Sequence, residues 1–295
     1  LNAVSVPDEF GRLVAESNAV AGIAYARAKD GTATNEAWSV GTHGTVLERQ
    51  RDAFGRIEGR GLTNGVWQGV SYTGENRIAA VAASEATANY AYAADGSELG
   101  YALAMAGGAT VTRQVVRDPY RPELVLAVSN FVGGTSVDAT ELGYDALCRV
   151  SVRNGSNCTY NVRSELTGDM GSAYAYDMAG NFAEQAVSYN YDGQVEEEGV
   201  LTYAYDDAGR LTSVSSNGAT LATYAYDPQG RRVLKVTPTA THTYFYDGWT
   251  LVREVIERDG EECEAGDWDL RGMVLEWDDG CGNRGTAMAS ADSST

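Results

Sequence analysis

The sequence predicts an all-β chain of tandem antiparallel β-hairpin repeats that build a curled sheet. Three observations carry this. The 295 residues hold 18 Tyr against 5 Phe, and Tyr suits pleated, half-buried surfaces. The motif Tyr-x-Tyr-Asp recurs five times between residues 174 and 247. Three of those copies continue Asp-x-x-Gly, the pattern of a tight hairpin turn.

Along the chain the elements fall into four stretches. Residues 1–20 begin Leu1-Asn2-Ala3-Val4, with no initiator Met, basic n-region or apolar h-region, which reads as a fragment or a processed chain. Residues 21–140 hold degenerate repeats. Asp52-Ala53-Phe54-Gly55-Arg56 keeps the turn. Tyr72-Thr73-Gly74-Glu75-Asn76-Arg77 has Asn76 where Gly would sit, and Asn tolerates positive φ better than most residues. Tyr90-Ala91-Tyr92 precedes Asp95-Gly96, and Gly107-Gly108 and Gly133-Gly134 are hairpin-turn candidates.

Residues 141–252 hold the clear repeats. Tyr174 and Tyr176 precede Asp177, Tyr189 and Tyr191 precede Asp192, Tyr203 and Tyr205 precede Asp206, Tyr224 and Tyr226 precede Asp227, and Tyr244 and Tyr246 precede Asp247. Gly180, Gly209 and Gly230 close the Asp-x-x-Gly copies, and Arg210 and Arg231 follow two of them. The Asp carboxylate is expected to accept the backbone N–H two residues on, while the Gly takes a positive φ without a Cβ clash. Two tyrosines two apart share one strand face. Stacked hairpins are expected to set tyrosines of neighbouring strands side by side. In Asp145-Ala146-Leu147-Cys148-Arg149, Cys148 stands at the Gly position, which predicts a strained turn. No linker separates the halves, so one repeat domain from about 10 to 265 is the economical expectation.

Residues 253–295 are acidic. Most of the local imbalance lies between Glu254 and Gly280, which reads as a solvated edge or loop whose like charges discourage edge-to-edge pairing. The small, polar tail from Gly285 to Thr295 is expected to be disordered.

The charge balance bounds the function. With 22 Lys+Arg against 41 Asp+Glu the net charge is −19, which argues against nucleic acid and anionic membranes as partners. No apolar run is long enough to span a bilayer. Only His43 and His242 exist, so no multi-histidine metal site can form, and His242 reads as a structural or exposed residue. Cys148, Cys158, Cys263 and Cys281 match no zinc spacing; two local disulfides or four free thiols are both open. Five Asp in identical turns do not make a catalytic pair, and no nucleophile elbow, Walker loop or dinucleotide fingerprint is present, so neither a catalytic residue, a cofactor nor a metal is assigned. The Tyr rows and Trp38, Trp67, Trp249, Trp268 and Trp277 read first as sheet packing and second as surfaces for sugar rings.

Tyr203 to Leu211 resembles the YD repeat of the RHS (rearrangement hot spot) family, and Tyr224 to Val233 and Tyr174 to Asn181 are similar to it. Thr241 to Gly248 resembles the stretch that precedes the family's core. The resemblance implies a secreted or cell-surface protein whose repeats wind into a cocoon-like β-shell. The partners it implies are neighbouring RHS repeats, an encapsulated effector or a glycan. Trp268-Asp269-Leu270-Arg271-Gly272 keeps only part of the family's core segment. Asp227-Pro228-Gln229-Gly230 resembles the family's self-cleaving segment in letters, but it lies within a repeat and reads as a turn. The function expected is a non-catalytic scaffold. A fragment of a toxin-delivery protein lacking its effector and a glycan-binding adhesin are the alternatives.

Overall fold

The computed structural model describes residues 3–63, 65, 67–183 and 187–258, together with the backbone of 261–267, 277–278 and 284–285. Every regular element among them is a β-strand, and the described partners are antiparallel. The chain divides into two compact units, one joining residues 1–69 to 196–295 and the other holding 70–195.

The first unit opens with β1 (Val4–Pro7), β2 (Leu13–Ser17), β3 (Ala21–Arg27), β4 (Ala33–Val40), β5 (His43–Arg51), β6 (Ile57–Leu62) and β7 (Trp67–Tyr72). Each pairs with the next. The second unit carries β8 (Ile78–Ala82), β9 (Ala86–Tyr92), β10 (Glu98–Met105), β11 (Thr110–Arg117), β12 (Val125–Val132), β13 (Thr135–Tyr144), β14 (Val150–Arg153) and β15 (Ser156–Asn157), paired in order. A small sheet follows, made of β16 (Thr159–Tyr160), β17 (Leu166–Asp169) and β18 (Ser172–Ala173), and then β19 (Val187–Tyr189). The first unit resumes with β20 (Val195–Glu198), β21 (Leu201–Tyr205), β22 (Leu211–Ser216), β23 (Ala219–Tyr226), β24 (Arg232–Val236), β25 (Thr241–Asp247), β26 (Thr250–Arg258) and β27 (Glu261–Asp267), again paired in order.

Within the first unit the two runs of strands share one core. Ala21, Ile23, Trp38 and Val40 from β3 and β4 pack with Val233, Phe245, Val252 and Val255 from β24 to β26. Trp38 meets Phe245 edge to face, with ring centroids 6.4 Å apart at 84°. Such a pair adds about 0.5–1.5 kcal/mol beyond the area it buries. The period-2 alternation explains why one face suffices: along β5, Thr45 and Leu47 are buried while Gly44, Glu48 and Gln50 are exposed.

The second unit is packed differently along its length. Val81, Ala86, Ala88, Tyr90, Leu103, Val111 and Leu124 are buried in its first part. From β12 to residue 195, Asp169 is the one buried side chain among the described residues.

The segment from residue 253 is not a loop throughout. Glu261–Asp267 forms β27 and pairs antiparallel with β26, opposite Arg253 to Arg258. Backbone pairing and an acidic sequence coexist because the pairing uses only main-chain groups. The tail from residue 286, Trp268 to Gly272, and the side chains of Cys263, Cys281 and Trp277 lie outside the described residues.

Candidate functional site: a repeated turn clamp and a buried ionic cluster

The sequence Asp-x-x-Gly-Arg builds one structure wherever it occurs. In the Asp206 copy, the Gly209 N–H donates to Asp206 O at 2.9 Å, and the Asp206 N–H donates to Arg210 O at 2.9 Å. Asp206 Oδ1 accepts the backbone N–H of Ala208 and of Arg210, both at 3.0 Å. Its Oδ2 accepts Arg210 Nε–H at 2.8 Å. The same bonds recur from Asp8 to Arg12, from Asp52 to Arg56, from Asp145 to Arg149 and from Asp227 to Arg231. Gly180, Gly209 and Gly230 have φ of 89°, 76° and 88°. Asn76 and Cys148, at the same turn position, are held at 67° and 61°. The Asp8 turn forms without flanking tyrosines, so the Asp-x-x-Gly-Arg spacing is by itself a sufficient signal for the clamp.

The arginine that follows the turn links one hairpin to the next. Where the turn opens on Asp it neutralises that Asp, and in the Asp145, Asp206 and Asp227 turns, as after the Thr73 turn, it lies against a tyrosine of the next hairpin. The Arg149 guanidinium carbon is 4.4 Å from the Tyr160 ring centroid, Arg210 4.8 Å from Tyr226, Arg231 5.5 Å from Tyr246, and Arg77 5.6 Å from Tyr92. The same tyrosine sends its hydroxyl back to the preceding hairpin. Tyr226 Oη donates to Leu211 O, Tyr246 to Arg232 O and Tyr160 to Val150 O, each at 2.7 Å. Tyr176 reaches Leu166 O and Tyr92 reaches Ile78 O at 2.8 Å, and Tyr189 reaches Phe182 O at 2.7 Å. The acceptor lies five residues after the residue that opens the turn in each of these cases. Burial pushes the Tyr246 hydroxyl up to about 12, so it remains a donor at neutral pH.

Three expectations change in register. In Tyr189-Asn190-Tyr191-Asp192 the turn opens on Asn190: Gly193 N–H donates to Asn190 O at 3.0 Å, and Asn190 Oδ1 accepts from Asp192 and Gln194. Tyr191 and Asp192 therefore sit within the turn, and Tyr191 is fully exposed. Tyr90 and Tyr101 of neighbouring strands do lie side by side, with ring centroids 6.1 Å apart, but in the last clear repeats an arginine is interleaved instead. Tyr224 and Tyr244 lie on alternate strands, and Arg232 of the strand between them lies 5.4 Å from both rings. Asp247 opens no Asp-x-x-Gly turn. It stands opposite Thr250 across a Gly248-Trp249 hairpin and turns its carboxylate into an ionic cluster.

That cluster is built in the first unit from both runs of strands. Asp247 accepts from Arg49 Nη2 and Arg60 Nη1, and Arg49 Nη2 also meets Glu36 Oε1 at 2.9 Å. Burial pushes the Asp247 carboxyl up, but Arg49 and Arg60 outweigh it and hold the group below the usual carboxylate range. Beside it, Asp227 and Arg231 are paired at 2.6 Å with side chains 0% and 2% exposed. Arg231 Nη1 donates to Gly248 O, and its guanidinium lies 4.6 Å from the Trp38 ring. Glu16 accepts from Tyr25 Oη and Gln229 Nε2, while Asn18 Nδ2 donates to Tyr226 O at 2.8 Å. Nothing in the spacing of Glu16, Tyr25, Glu36, Trp38, Arg49 or Arg60 marks them as partners of residues some 200 positions away.

The remaining sites are structural in their contacts. His242 Nδ1 is 2.7 Å from Glu254 Oε1, and its ring stacks on Tyr244 at 14°. His43 Nε2 is 3.4 Å from Glu257 Oε2. Trp38 is buried, whereas Trp67 and Trp249 are exposed. Cys148 and Cys158 carry free thiols. Among the described residues no three His, Cys, Asp or Glu side chains converge as a metal set.

Residues 205–243 match the family model of the RHS repeat, a window holding both the Asp206 and Asp227 turns. That stretch is an RHS repeat. The chain is 29% identical over 125 residues to the "tRNA nuclease WapA" of Bacillus subtilis and 30% identical over 125 residues to the "tRNA3(Ser)-specific nuclease WapA" of Bacillus spizizenii. Each match covers 40% of this chain and only 5% of the relative. Among solved structures, a TcdB2-TccC3-TEV crystal structure matches with a TM-score of 0.56 at 12% identity, over 96% of this chain and 19% of that one. A Photorhabdus luminescens Tc holotoxin pore matches with a TM-score of 0.55 at 11% identity, over 90% of this chain and 18% of that one. The fold of tandem antiparallel hairpins is therefore shared with these solved structures, and the chain spans about a fifth of the solved chains it matches.

Proposed function

We propose that this chain is a non-catalytic structural segment of a secreted RHS protein, a run of wall in a β-shell. The observation that supports this is the clamp. Asp, Arg and Tyr, the groups that could do acid–base work, have their hydrogen-bonding capacity directed into their own turn and the hairpin before it. Asp227 is sealed from solvent altogether. The test is direct. Purified chain is incubated with bulk tRNA and with oligosaccharides, and no turnover is expected. Hydrolysis that a single Asp or Glu substitution abolishes would overturn the scaffold role.

A second reading rests on the relatives' names. The matched segments belong to proteins called tRNA nucleases, of which this chain covers a twentieth; on this reading the wall serves to deliver an effector carried elsewhere in a longer protein. Sequencing the gene on both sides of this segment decides it. A toxin-like domain in the same reading frame supports delivery, and its absence from a complete reading frame rejects it.

A further inference from the structure

Phe10, Phe54, Met178 and Tyr191 are exposed, and each stands at the tip of a hairpin turn. They are not equally supported. Around Phe54, β5 and β6 are nine and six residues long, and Thr45, Leu47 and Arg60 within them are buried. Arg56 pairs with Asp52 across that turn at 2.7 Å. Around Tyr191, β19 and β20 are three and four residues long and bury no side chain. The Tyr191 turn opens on Asn190 and closes on Gln194. The ion pair of the Asp-x-x-Gly-Arg turns is replaced there by a hydrogen bond between two amides, from Asn190 Nδ2 to Gln194 Oε1 at 2.7 Å. The turn before it changes in the same sense. Asn181 stands where Arg would and donates to Asp177 Oδ2 at 3.0 Å, and the pairing beside it is an isolated bridge from Tyr176 to Phe182. A protease needs several residues in extended form, so a tight turn must open before it is cut. A stretch that buries little opens at low cost.

We propose that the Asn190–Gln194 turn is a processing site for an endoprotease that selects a large aromatic side chain, and that the cut leaves a two-piece chain still joined through the first unit. This goes beyond the scaffold role and does not depend on it. The step is hydrolysis. Water adds across the Tyr191–Asp192 peptide, the C–N bond breaks, and Tyr191 is left with a carboxylate and Asp192 with an ammonium group. What holds the pieces together lies on either side of the cut. β1 to β7 fall in one piece and β20 to β27 in the other. Asp247 of the second piece accepts from Arg49 and Arg60 of the first, and Asn18 Nδ2 donates to Tyr226 O at 2.8 Å. Ile23 and Trp38 pack with Val233 and Phe245. None of these contacts uses residues 187–195, so opening the turn leaves them in place.

The test is limited digestion of the full chain with chymotrypsin, with products identified by mass. Among cuts within residues 3–258, the first is expected after Tyr191, ahead of Phe10 and Phe54. The two pieces should part on a denaturing gel but elute together in size exclusion, at the volume of the intact chain. Tyr191→Ser should abolish that cut. Asn190→Asp with Gln194→Arg keeps Tyr191 and rebuilds the ion pair. Measured relative to the matching peptides 187–198, the rebuilt turn should be cut about two- to fivefold more slowly, as the population of the open turn falls. A first cut elsewhere in residues 3–258, Phe10 and Phe54 included, overturns the proposal. So does separation of the pieces without denaturant, or a rebuilt turn cut as fast as the parent's. Because the readout is cleavage of this chain, the scaffold role stands or falls separately on the turnover assay.

Discussion

The Asp206 and Asp227 turns carry the same letters and the same bonds, yet they are not the same energetic object. In the first, the Asp and Arg side chains are 19% and 23% exposed. In the second they are 0% and 2% exposed, roofed by Trp38 and tied to Gly248. The repeat motif therefore specifies the turn, and the surroundings decide what it is worth. At the surface it organises a hairpin; under the first run of strands it also seals the seam of the first unit.

The largest effect expected is the one that exposes this difference. Arg231→Ala leaves a buried carboxylate uncompensated and should cost about 3–5 kcal/mol, whereas Arg210→Ala should cost about 0–1 kcal/mol. Urea midpoints of the two variants measure it. Equal losses would mean that burial does not distinguish the two turns.

Next come the turn positions that need positive φ. Gly209→Val should cost roughly 1–3 kcal/mol, because a β-branched residue is forced to a φ of 76°. Cys148 already occupies that position at 61°, so Cys148→Gly should stabilise by about 0.4–1 kcal/mol. Thermal melts of the two variants should shift in opposite directions. A parallel shift would show that the αL position does not govern these turns.

Smaller again is the hydroxyl link between hairpins. Tyr226→Phe keeps the ring under Arg210 and removes only the bond to Leu211 O, which should cost about 1 kcal/mol. The unfolding midpoint measures it; an unchanged value would reduce the link to a bystander of the stacking.

These comparisons also mark how far the sequence reaches. The all-β class, the hairpin turns and the positive φ of Gly209, Gly230 and even Asn76 are legible because turn chemistry is local: a carboxylate, a backbone N–H two residues on and a missing Cβ. The Asp–Arg pair has an equally local signal, since Arg stands four positions after Asp8, Asp52, Asp145, Asp206 and Asp227, although Asn181 takes that place after Asp177. Asp247 is where legibility ends. Its two arginines come from positions 49 and 60, and no short-range pattern announces a partner brought in by tertiary packing. Asn190 shows a subtler failure. Tyr191-Asp192 matches the repeat by letter, but Asn190 offers an equally good side-chain acceptor two residues earlier, and the Gly193 it needs stands three residues on from Asn190, one from Asp192.

The smallest expected effect concerns acidity, and its sign follows from the turn. The side-chain hydrogen bond from Arg210 is the main influence that holds the Asp206 carboxyl below its ordinary value of 3.8. A group depressed in the folded state adds stability above its unfolded value and loses it as pH falls through the folded one. Asp8, Asp52 and Asp145 are shifted in the same direction by their own turns. The chain should therefore be firm at neutral pH and weaken below about pH 4, where several turns lose their charge together. Asp206→Asn keeps the acceptor for the turn N–H groups but cannot titrate, so its stability should change less between pH 7 and pH 3 than the parent's. Urea midpoints at the two values measure this. If the variant and the parent lose the same amount, the surface turn holds its shape through its backbone bonds alone, and the charge pair contributes only where Trp38 covers it.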